Sequence, residues 1–329
     1  MNKVVHVNDR RLIDGPQDRM MCISPLRHPW ARDIWRVMLN NTWFPQEIDF
    51  SKDVKQYRTL SDAEKTMYNR ALAFLSNLDG IQFNNLTLNI GNYITSPEVS
   101  MCISRQSWEE ANHVDAYATM IEAITDDPQD IYGLFARDDT LSRKNKYIMR
   151  QSEILGEDYS ARNFALAVVA NICLEGIYFF SGFLAFYTLA RNGKMLNSAD
   201  NIRFIQRDEN IHKELFIAMW ETLQAERPEI FDEGFYTDVV ELIKSAVDLE
   251  ASWGKYIIEG GVLGLSDAIV EDYIKHLADG IAGRLGLPKI YGVKNPVPWV
   301  EDFSNINGEE SNFFESKVKA YAIGGSLEW

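Results

Sequence analysis

The sequence predicts an all-α protein, a bundle of long helices with an extended segment at each end. No stretch alternates polar and apolar residues for long, and glycine and proline are sparse between residues 61 and 285. Residues 1–25 lack helical periodicity, and residues 305–329 are rich in Asn, Gly, Ser and Glu. We therefore expect one helical domain over 26–304, preceded by an extended segment and followed by a flexible tail.

Several of the long helices have a recognisable start. Ser61 and Glu64 form a capping box, because each side chain can accept a hydrogen bond from the backbone amide of the other. Ser96 precedes Pro97, so a cap residue is followed by the residue best suited to the first helical position. In chain order, the predicted helices cover 61–89, 96–125, 129–155, 160–191, 198–226, 235–259 and 266–285, with Ser160 and Ser198 opening the fourth and fifth.

One predicted helix is almost wholly apolar. The stretch 164–190 is long enough to cross a bilayer, but it contains Asn171, Glu175 and Ser181. A carboxylate in the middle of a membrane is costly, whereas a helix that is hydrophobic on all sides can form the centre of a large soluble bundle. With no other candidate span in the sequence, we expect a buried core helix and no membrane association.

Composition narrows the classes of function. The 329 residues are 46% hydrophobic, enough for a substantial core, and the net charge of −15 argues against a protein that binds nucleic acid. Cys22, Cys102 and Cys173 stand in no metal-binding spacing, which indicates reduced thiols in a cytoplasmic protein. The first residues lack the apolar run of a signal peptide.

Two Glu-x-x-His motifs stand far apart in the chain. Glu110 precedes His113 and Glu209 precedes His212, in each case by three residues within a helical pattern. Residues at this spacing share one helix face, so each motif can offer an oxygen and a nitrogen ligand to a metal ion. Glu109 could replace Glu110 by position alone, but the equal spacing of the two motifs favours Glu110.

Two further acids complete a candidate site for two metal ions. Asp79 lies on the first long helix and Glu175 on the apolar helix, giving four carboxylates and two imidazoles on four helices. This is the ligand pattern of a ferritin-like dimetal-carboxylate bundle. Surface salt bridges are the alternative, but Glu175 has no solvated face to occupy. Oxygen ligands with one nitrogen per metal suit iron or manganese, and Fe/Fe, Mn/Mn and Mn/Fe pairs all stay open.

A tyrosine lies next to the predicted metal site. Tyr117 follows His113 by four residues, one turn along the same helix face. A phenol beside an oxidising metal pair can lose an electron and a proton to become a tyrosyl radical, although a tyrosine of the core would have the same sequence position. Phe179, Phe183 and Ile205 are spaced to form a dry pocket around it, or simply to fill the core.

These motifs resemble those of the small, radical-generating subunit of class I ribonucleotide reductase. The resemblance extends from about Trp43 to Trp329. The matching motifs are Ser76–Ile81, Glu110-x-x-His113-x-x-x-Tyr117, Leu174–Ile177, Arg207-Asp208-Glu209-x-x-His212, Asn295–Trp299, and Asn312–Glu315 followed by Tyr321.

The resemblance implies an oxidoreductase, ribonucleoside-diphosphate reductase, that is active only with a separate large subunit. The metal centre would react with an oxygen species, store an oxidising equivalent and pass it to the large subunit, where ribonucleotides are reduced. Trp43, Asp208 hydrogen-bonded to His113, and Tyr321 match the family's radical pathway. The resemblance also implies a homodimer and a C-terminal tail that docks to the large subunit. Participation of an activating flavoprotein is left open.

The sequence departs from the family pattern at one position. Some relatives have a tryptophan four residues before the motif glutamate, where this chain has Gln106, so electron delivery through that tryptophan is in doubt. Tyr117 is present, but some relatives hold the oxidant on a dimanganese centre beside an unused tyrosine. The alternatives to the reductase subunit are a stand-alone dimetal or ligand-binding oxidase and an iron-storage bundle, neither of which needs Trp43 or Tyr321.

Overall fold

The computed structural model describes residues 4–259 and 261–304. Within that part, the chain forms α-helices, short 3-10 turns and two π-helical turns, with no β-strand beyond one isolated bridge between Ile13 and Ile94. The prediction of an all-α fold is confirmed. The predicted C-terminal tail, 305–329, and Tyr321 within it lie outside the described residues.

Thirteen α-helices follow one another in the described part of the chain. They are α1 (Pro29–Asn40), α2 (Ser51–Tyr57), α3 (Asp62–Asn84), α4 (Pro97–Ile124), α5 (Gln129–Tyr132), α6 (Leu134–Arg137), α7 (Asp139–Glu157), α8 (Ala161–Cys173), α9 (Phe180–Arg191), α10 (Leu196–Glu226), α11 (Glu233–Ile257), α12 (Asp267–Arg284) and α13 (Val300–Ser304). The π-helical turns are Asn85–Asn89, after α3, and Leu174–Tyr178, between α8 and α9.

Four long elements form the centre of the bundle. Helix α3 packs against α4 and α9, while α10 packs against α8, α9 and α4. Each of α3, α4 and α10 carries at least one of the predicted metal ligands, and Glu175 lies in the π-helical turn that joins α8 to α9 into the fourth element. Residues 4–28 contain no α-helix and lie along the bundle, where the Leu12 amide donates to Glu226 Oε2 at 2.8 Å.

The predicted caps of three central helices are confirmed. Ser61 Oγ accepts from the Glu64 amide at 3.3 Å, and Glu64 Oε2 accepts from the Ser61 amide at 2.9 Å, which is the predicted capping box. Ser96 and Ser160 likewise accept from amides three residues further on. These local hydrogen bonds satisfy amide groups that have no partner within the helix.

Two boundaries differ from the prediction. Ser198 is not the cap of α10, which begins at Leu196, because the carboxylate of Asp53 accepts from the Ser198 amide at 2.6 Å and replaces a local cap. The single helix predicted over 129–155 is broken into α5, α6 and α7. Asp138 causes one of these breaks, since its side chain accepts from two amides and starts α7 afresh.

The apolar helix lies in the core and is interrupted once. Of the most apolar window within Ala161–Arg191, 83% is buried inside the protein, which favours the interpretation as a core helix. The π-helical turn Leu174–Tyr178 contains Glu175. Turns of this type occur mainly as single insertions in α-helices and often at functional sites, because the inserted residue changes the direction of neighbouring side chains.

Candidate metal centre

The six predicted metal ligands come together in the middle of the bundle. Their ligand atoms form two overlapping groups, and within each group the atoms lie within 4.8 Å of one another. One group is Asp79, Glu110, His113 and Glu209; the other is Glu110, Glu175, Glu209 and His212. All six residues are fully buried. Because Glu110 and Glu209 belong to both groups, the arrangement has two half-sites that share two carboxylates.

In the first half-site, Nδ1 of His113 faces three carboxylates. It lies 3.0 Å from Glu209 Oε1, 3.7 Å from Glu110 Oε2 and 3.8 Å from Asp79 Oδ1. Helices α3, α4 and α10 together supply all the residues of this group.

The second half-site has a matching geometry. Nδ1 of His212 lies 2.7 Å from Glu209 Oε2, 3.3 Å from Glu110 Oε1 and 3.8 Å from Glu175 Oε2. The two shared glutamates therefore direct one oxygen to each histidine. This is the geometry expected of carboxylates that bridge two ions.

The outer nitrogen of each histidine contacts a different acid. His113 Nε2 lies 3.2 Å from Asp208 Oδ2, and His212 Nε2 lies 2.9 Å from Glu109 Oε2. Each of these acids can accept from Nε2 of its histidine, so a metal-bound histidine would keep its proton on Nε2 and direct the lone pair of Nδ1 towards the cluster. The choice between the two neighbouring glutamates is thereby made on geometry: Glu110 lies within the cluster and Glu109 lies behind His212.

Unpaired polar atoms inside the cluster fit two metal ions. Buried polar groups in folded proteins are nearly always hydrogen-bonded, so a group of orphaned atoms calls for a missing partner. The buried cluster atoms without a hydrogen-bond partner among the described residues are both oxygens of Asp79, Glu110 Oε2, His113 Nδ1, Glu175 Oε2 and Glu209 Oε1. His113 Nδ1 and Glu209 Oε1 lie 3.0 Å apart but are not aligned for a hydrogen bond. They point into one small volume, and cations would satisfy them together.

Electrostatics leads to the same conclusion. Burial, with the added charges of Glu110 and Glu209, raises the pKa of Asp79 and of Glu175 well above the usual value. Burial acts to lower the pKa of the two ligand histidines, but the negative charge of Glu209 outweighs it and raises both values. In the absence of metal these four side chains therefore hold protons more strongly than usual, and bound metal ions would take the place of those protons.

Amide side chains that the sequence did not single out as site residues hold Glu175 in place. Gln106 Nε2 donates to Glu175 Oε1 at 2.7 Å, and Gln82 Nε2 donates to the same oxygen at 2.5 Å. Asn171 Oδ1 accepts from Gln82 at 3.0 Å. Because Oε1 is occupied in this way, Oε2 is the oxygen directed to the cluster. Helical spacing was the available signal, since Gln82 follows Asp79 by three residues and Gln106 precedes Glu110 by four.

Tyr117 is fully buried close to the cluster. Burial and then the charges of Asp79, Glu209 and Glu110 raise its pKa well above the usual value. Its hydroxyl has no hydrogen-bond partner among the described residues. The three residues predicted to form a dry pocket, Phe179, Phe183 and Ile205, are buried as well.

Trp43 is joined to the cluster by hydrogen bonds. Its indole Nε1–H donates to Asp208 Oδ2 at 2.7 Å, the same oxygen that His113 Nε2 contacts. The indole also stacks on Phe204, with ring centroids 5.3 Å apart, and lies 6.2 Å from the His113 ring. A continuous path of hydrogen bonds thus runs from His113 through Asp208 to Trp43.

Comparison with known proteins agrees with this geometry. A family model described as ribonucleotide reductase, small chain, matches residues 20–296. The chain is 37% identical over 329 residues to the ribonucleoside-diphosphate reductase subunit beta of Treponema pallidum (strain Nichols), covering 98% of this chain and 93% of that protein.

Solved structures show the same similarity. The ribonucleotide reductase R2 subunit from Clostridium botulinum superposes with a TM-score of 0.87 at 33% identity, covering 93% of this chain and 99% of that one. The dimanganese(II)-NrdF of Streptococcus sanguinis, at 19% identity and a TM-score of 0.74 over 84% of this chain and 96% of that one, shares the fold. The match of the family model over most of the sequence, together with these relatives, shows that the chain belongs to the ribonucleotide reductase small chain family.

Proposed function

We propose that the six buried ligands bind two ions of iron or manganese and that the oxidising equivalent generated there leaves the subunit through Trp43. The observation that supports this most directly is the pair of overlapping half-sites, in which five carboxylate oxygens and His113 Nδ1 lack hydrogen-bond partners and converge in one buried volume. Membership of the reductase family favours this function over a stand-alone oxidase or an iron-storage bundle. The unpaired thiols of Cys22, Cys102 and Cys173 support a cytoplasmic location.

Each ligand has a distinct role in this proposal. Asp79 and His113 would hold one ion, Glu175 and His212 the other, and Glu110 and Glu209 would bridge them. When bound, the ion pair supplies oxidising power by reacting with an oxygen species. Gln82 and Gln106 fix the direction of Glu175, and the surrounding apolar residues exclude water from the site.

Tyr117 is the proposed store of the oxidising equivalent. Its hydroxyl would give up an electron and a proton, leaving a neutral phenoxyl group in a buried site. The complete burial of the side chain keeps external reductants and water away. The absence of a hydrogen-bond donor to its oxygen in the described part of the chain leaves that position free for proton transfer towards the carboxylate cluster.

Changing Tyr117 to Phe tests this role. The activated wild-type protein should show a sharp organic-radical signal in electron paramagnetic resonance, and Tyr117→Phe should abolish it while still binding two metal ions. Tyr68→Phe is the matched control, because Tyr68 is also buried but its hydroxyl shares a hydrogen bond with the Ser198 hydroxyl, away from the cluster. A wild-type spectrum that contains only signals of coupled metals would refute the tyrosyl proposal.

Trp43 and Asp208 form the proposed exit route. Oxidation of Trp43 removes an electron from the indole, and its Nε1 proton can pass to Asp208 Oδ2 across the 2.7 Å hydrogen bond. The proton returns when the indole is reduced, so the side chains end the cycle unchanged. His113 anchors the other side of the same carboxylate oxygen and holds it at the indole.

The large subunit is the proposed acceptor, with docking through residues 305–329 and a final relay at Tyr321. This proposal is supported by the family and by the polar, aromatic-containing composition of that segment. The same family membership supports assembly of the chain as a homodimer.

Deleting residues 310–329 should abolish capture of the large subunit in a pull-down experiment, because the docking segment is lost. The metal content of the truncated protein should be that of the wild type. Tyr321→Phe is the matched control: we expect it to bind the large subunit normally but to stop nucleotide reduction. Equal binding by the truncated chain would disprove docking through the tail, and full turnover by Tyr321→Phe would remove this residue from the relay.

A further inference from the structure

A buried ion pair lies outside the metal ligands. Lys144 on α7 and Glu250 on α11 form a salt bridge, with the two side chains 1% and 0% exposed. Lysine and glutamate are rarely buried to this degree, because removing both charges from water costs more than their attraction returns unless further polar contacts are made. The further hydrogen bonds of Lys144 and Glu250 therefore indicate the structural role of the pair.

Both members of the pair bind backbone groups at one junction. Lys144 Nζ donates to the Tyr178 carbonyl at 3.4 Å, and Glu250 Oε1 accepts from the Ser181 amide at 3.0 Å. Tyr178 is the last residue of the π-helical turn that contains Glu175, and Ser181 lies in the first turn of α9. A π-helical turn interrupts the regular hydrogen-bond pattern of a helix, so backbone groups at its end need partners from elsewhere.

The surroundings hold the pair rigidly. The Lys144 ammonium lies 3.4 Å from the ring centroid of Phe74 and 5.2 Å from that of Trp253, which places the cation against two aromatic rings. Gly254 lets α11 approach α9 closely, because a Cβ atom at this position would lie 2.7 Å from Ser181 Oγ. Helices α3, α7 and α11 therefore all pack around the ion pair at the end of the π-helical turn.

We propose that Lys144 and Glu250 are positioning residues that keep the π-helical turn in place and so direct Glu175 towards the metal ions. If the turn relaxed to a regular α-helix, the helix register would shift by one residue. The chain before the turn would then rotate by about 100° relative to α9. Glu175 would then leave the cluster. This inference rests on the proposed role of Glu175 as a ligand.

The position of Glu175 makes the effect selective. Glu175 belongs only to the group that contains His212, whereas Asp79 and His113 lie in the other group. Loss of the ion pair should therefore weaken binding at the His212 half-site and spare the His113 half-site. A pair that served only general stability would affect both half-sites alike.

The test is titration of the full-length protein with Mn²⁺, followed by electron paramagnetic resonance. The variant Lys144→Met/Glu250→Met removes both charges together, so that no unpaired charge is left in the core, and it removes both contacts to the backbone. We expect the first ion to bind as in the wild type and the second to bind about 10- to 100-fold more weakly, as is usual when a group supporting a metal ligand is lost. The spectrum at limiting Mn²⁺ should match that of His212→Ala, with a mononuclear signal in place of the coupled one.

Asp53→Asn is the matched control, because Asp53 is also a buried acid that binds the amide of a ligand-bearing helix, but at the remote start of α10. It should keep the wild-type affinity for both ions. Lys144→Met alone keeps the acceptor for Ser181, and Glu250 can take up a proton there because burial raises its pKa once the lysine is gone. This variant should show a smaller loss at the same half-site and serves if the double variant does not fold.

Two results would overturn the inference: wild-type affinity at both half-sites in the Lys144 variants, or an equal loss at both half-sites. Failure of the proposed ligand set is distinguished by a separate variant. If Glu175→Ala binds two ions as tightly as the wild type, Glu175 is not a ligand, whatever the Lys144 variants do.

Discussion

Replacing Glu175 with alanine should abolish loading of the metal pair. Glu175 supplies an oxygen to the His212 half-site, and its Oε2 has no other partner among the described residues. The side chains that contact it, Gln82 and Gln106, are neutral amides and cannot replace the charge of a ligand carboxylate. Elemental analysis after reconstitution with iron or manganese should give fewer than two ions per chain.

Stability measurements provide a second readout of the same change. A ligand that binds only the folded protein stabilises it by about 2.7 kcal/mol at a free concentration 100 times its dissociation constant. We expect this metal-dependent increase in thermal stability in the wild type and a much smaller one in Glu175→Ala. Each protein is compared with its own metal-free form, because Glu175→Ala also leaves a cavity in the core and removes the acceptor of Gln82 and Gln106.

Two variants make the result specific. Glu175→Gln keeps the size of the side chain but removes its negative charge and replaces one of its two oxygens by an amide nitrogen. It should therefore also fail to load two ions. Glu98→Gln changes another buried acid, one that accepts from the Arg27 amide at 2.7 Å and lies outside the cluster, and should load normally. Two ions bound by Glu175→Ala would show that the ligand assignment is wrong.

The second large effect is expected at Asp208. Asp208→Asn should lower nucleotide reduction by at least about 100-fold, the scale on which a positioned proton acceptor acts, while both metal ions stay bound. The asparagine oxygen can still accept from Trp43 Nε1 and His113 Nε2, which share one carboxylate oxygen in the wild type. The change therefore removes the negative charge and the ability to take a proton with little change in geometry.

Glu109→Gln is a closely matched control. Glu109 binds the outer nitrogen of His212 as Asp208 binds that of His113, but of these two acids Asp208 is the one that accepts from the Trp43 indole in the described structure. If both acids merely orient their histidines, Asp208→Asn and Glu109→Gln should lose activity to a similar extent. A much larger loss for Asp208→Asn supports the exit route, and Trp43→Phe should then show the same loss with full metal content.

Much of the centre could be predicted because its ligands obey local rules. The Glu-x-x-His spacing fixes two pairs of ligands on helix faces, and an isolated acid in an apolar helix needs a partner wherever that helix lies. The capping box at Ser61 and the cap at Ser96 are equally local. Such features depend on neighbours three or four residues away, which a sequence shows directly.

Three features that sequence analysis missed depend on residues distant in the chain. Asp53 replaces Ser198 as the cap of α10 from 145 positions away, and Lys144 meets Glu250 from 106 positions away. The π-helical turn at Glu175 has no local signal in its composition, since its stability depends on contacts from α7 and α11. Long-range packing decides all three, and hydrophobic periodicity carries no information about it.

The sharing of Glu110 and Glu209 between the half-sites has a thermodynamic consequence. An ion in either half-site would change the charge of both shared carboxylates, and so would change the affinity of the other half-site. Linkage requires such an effect to be reciprocal, with the same factor in both directions. Selectivity for iron or manganese would then belong to the pair of ions as a unit, because the metal preferred in one half-site would depend on the metal that occupies the other.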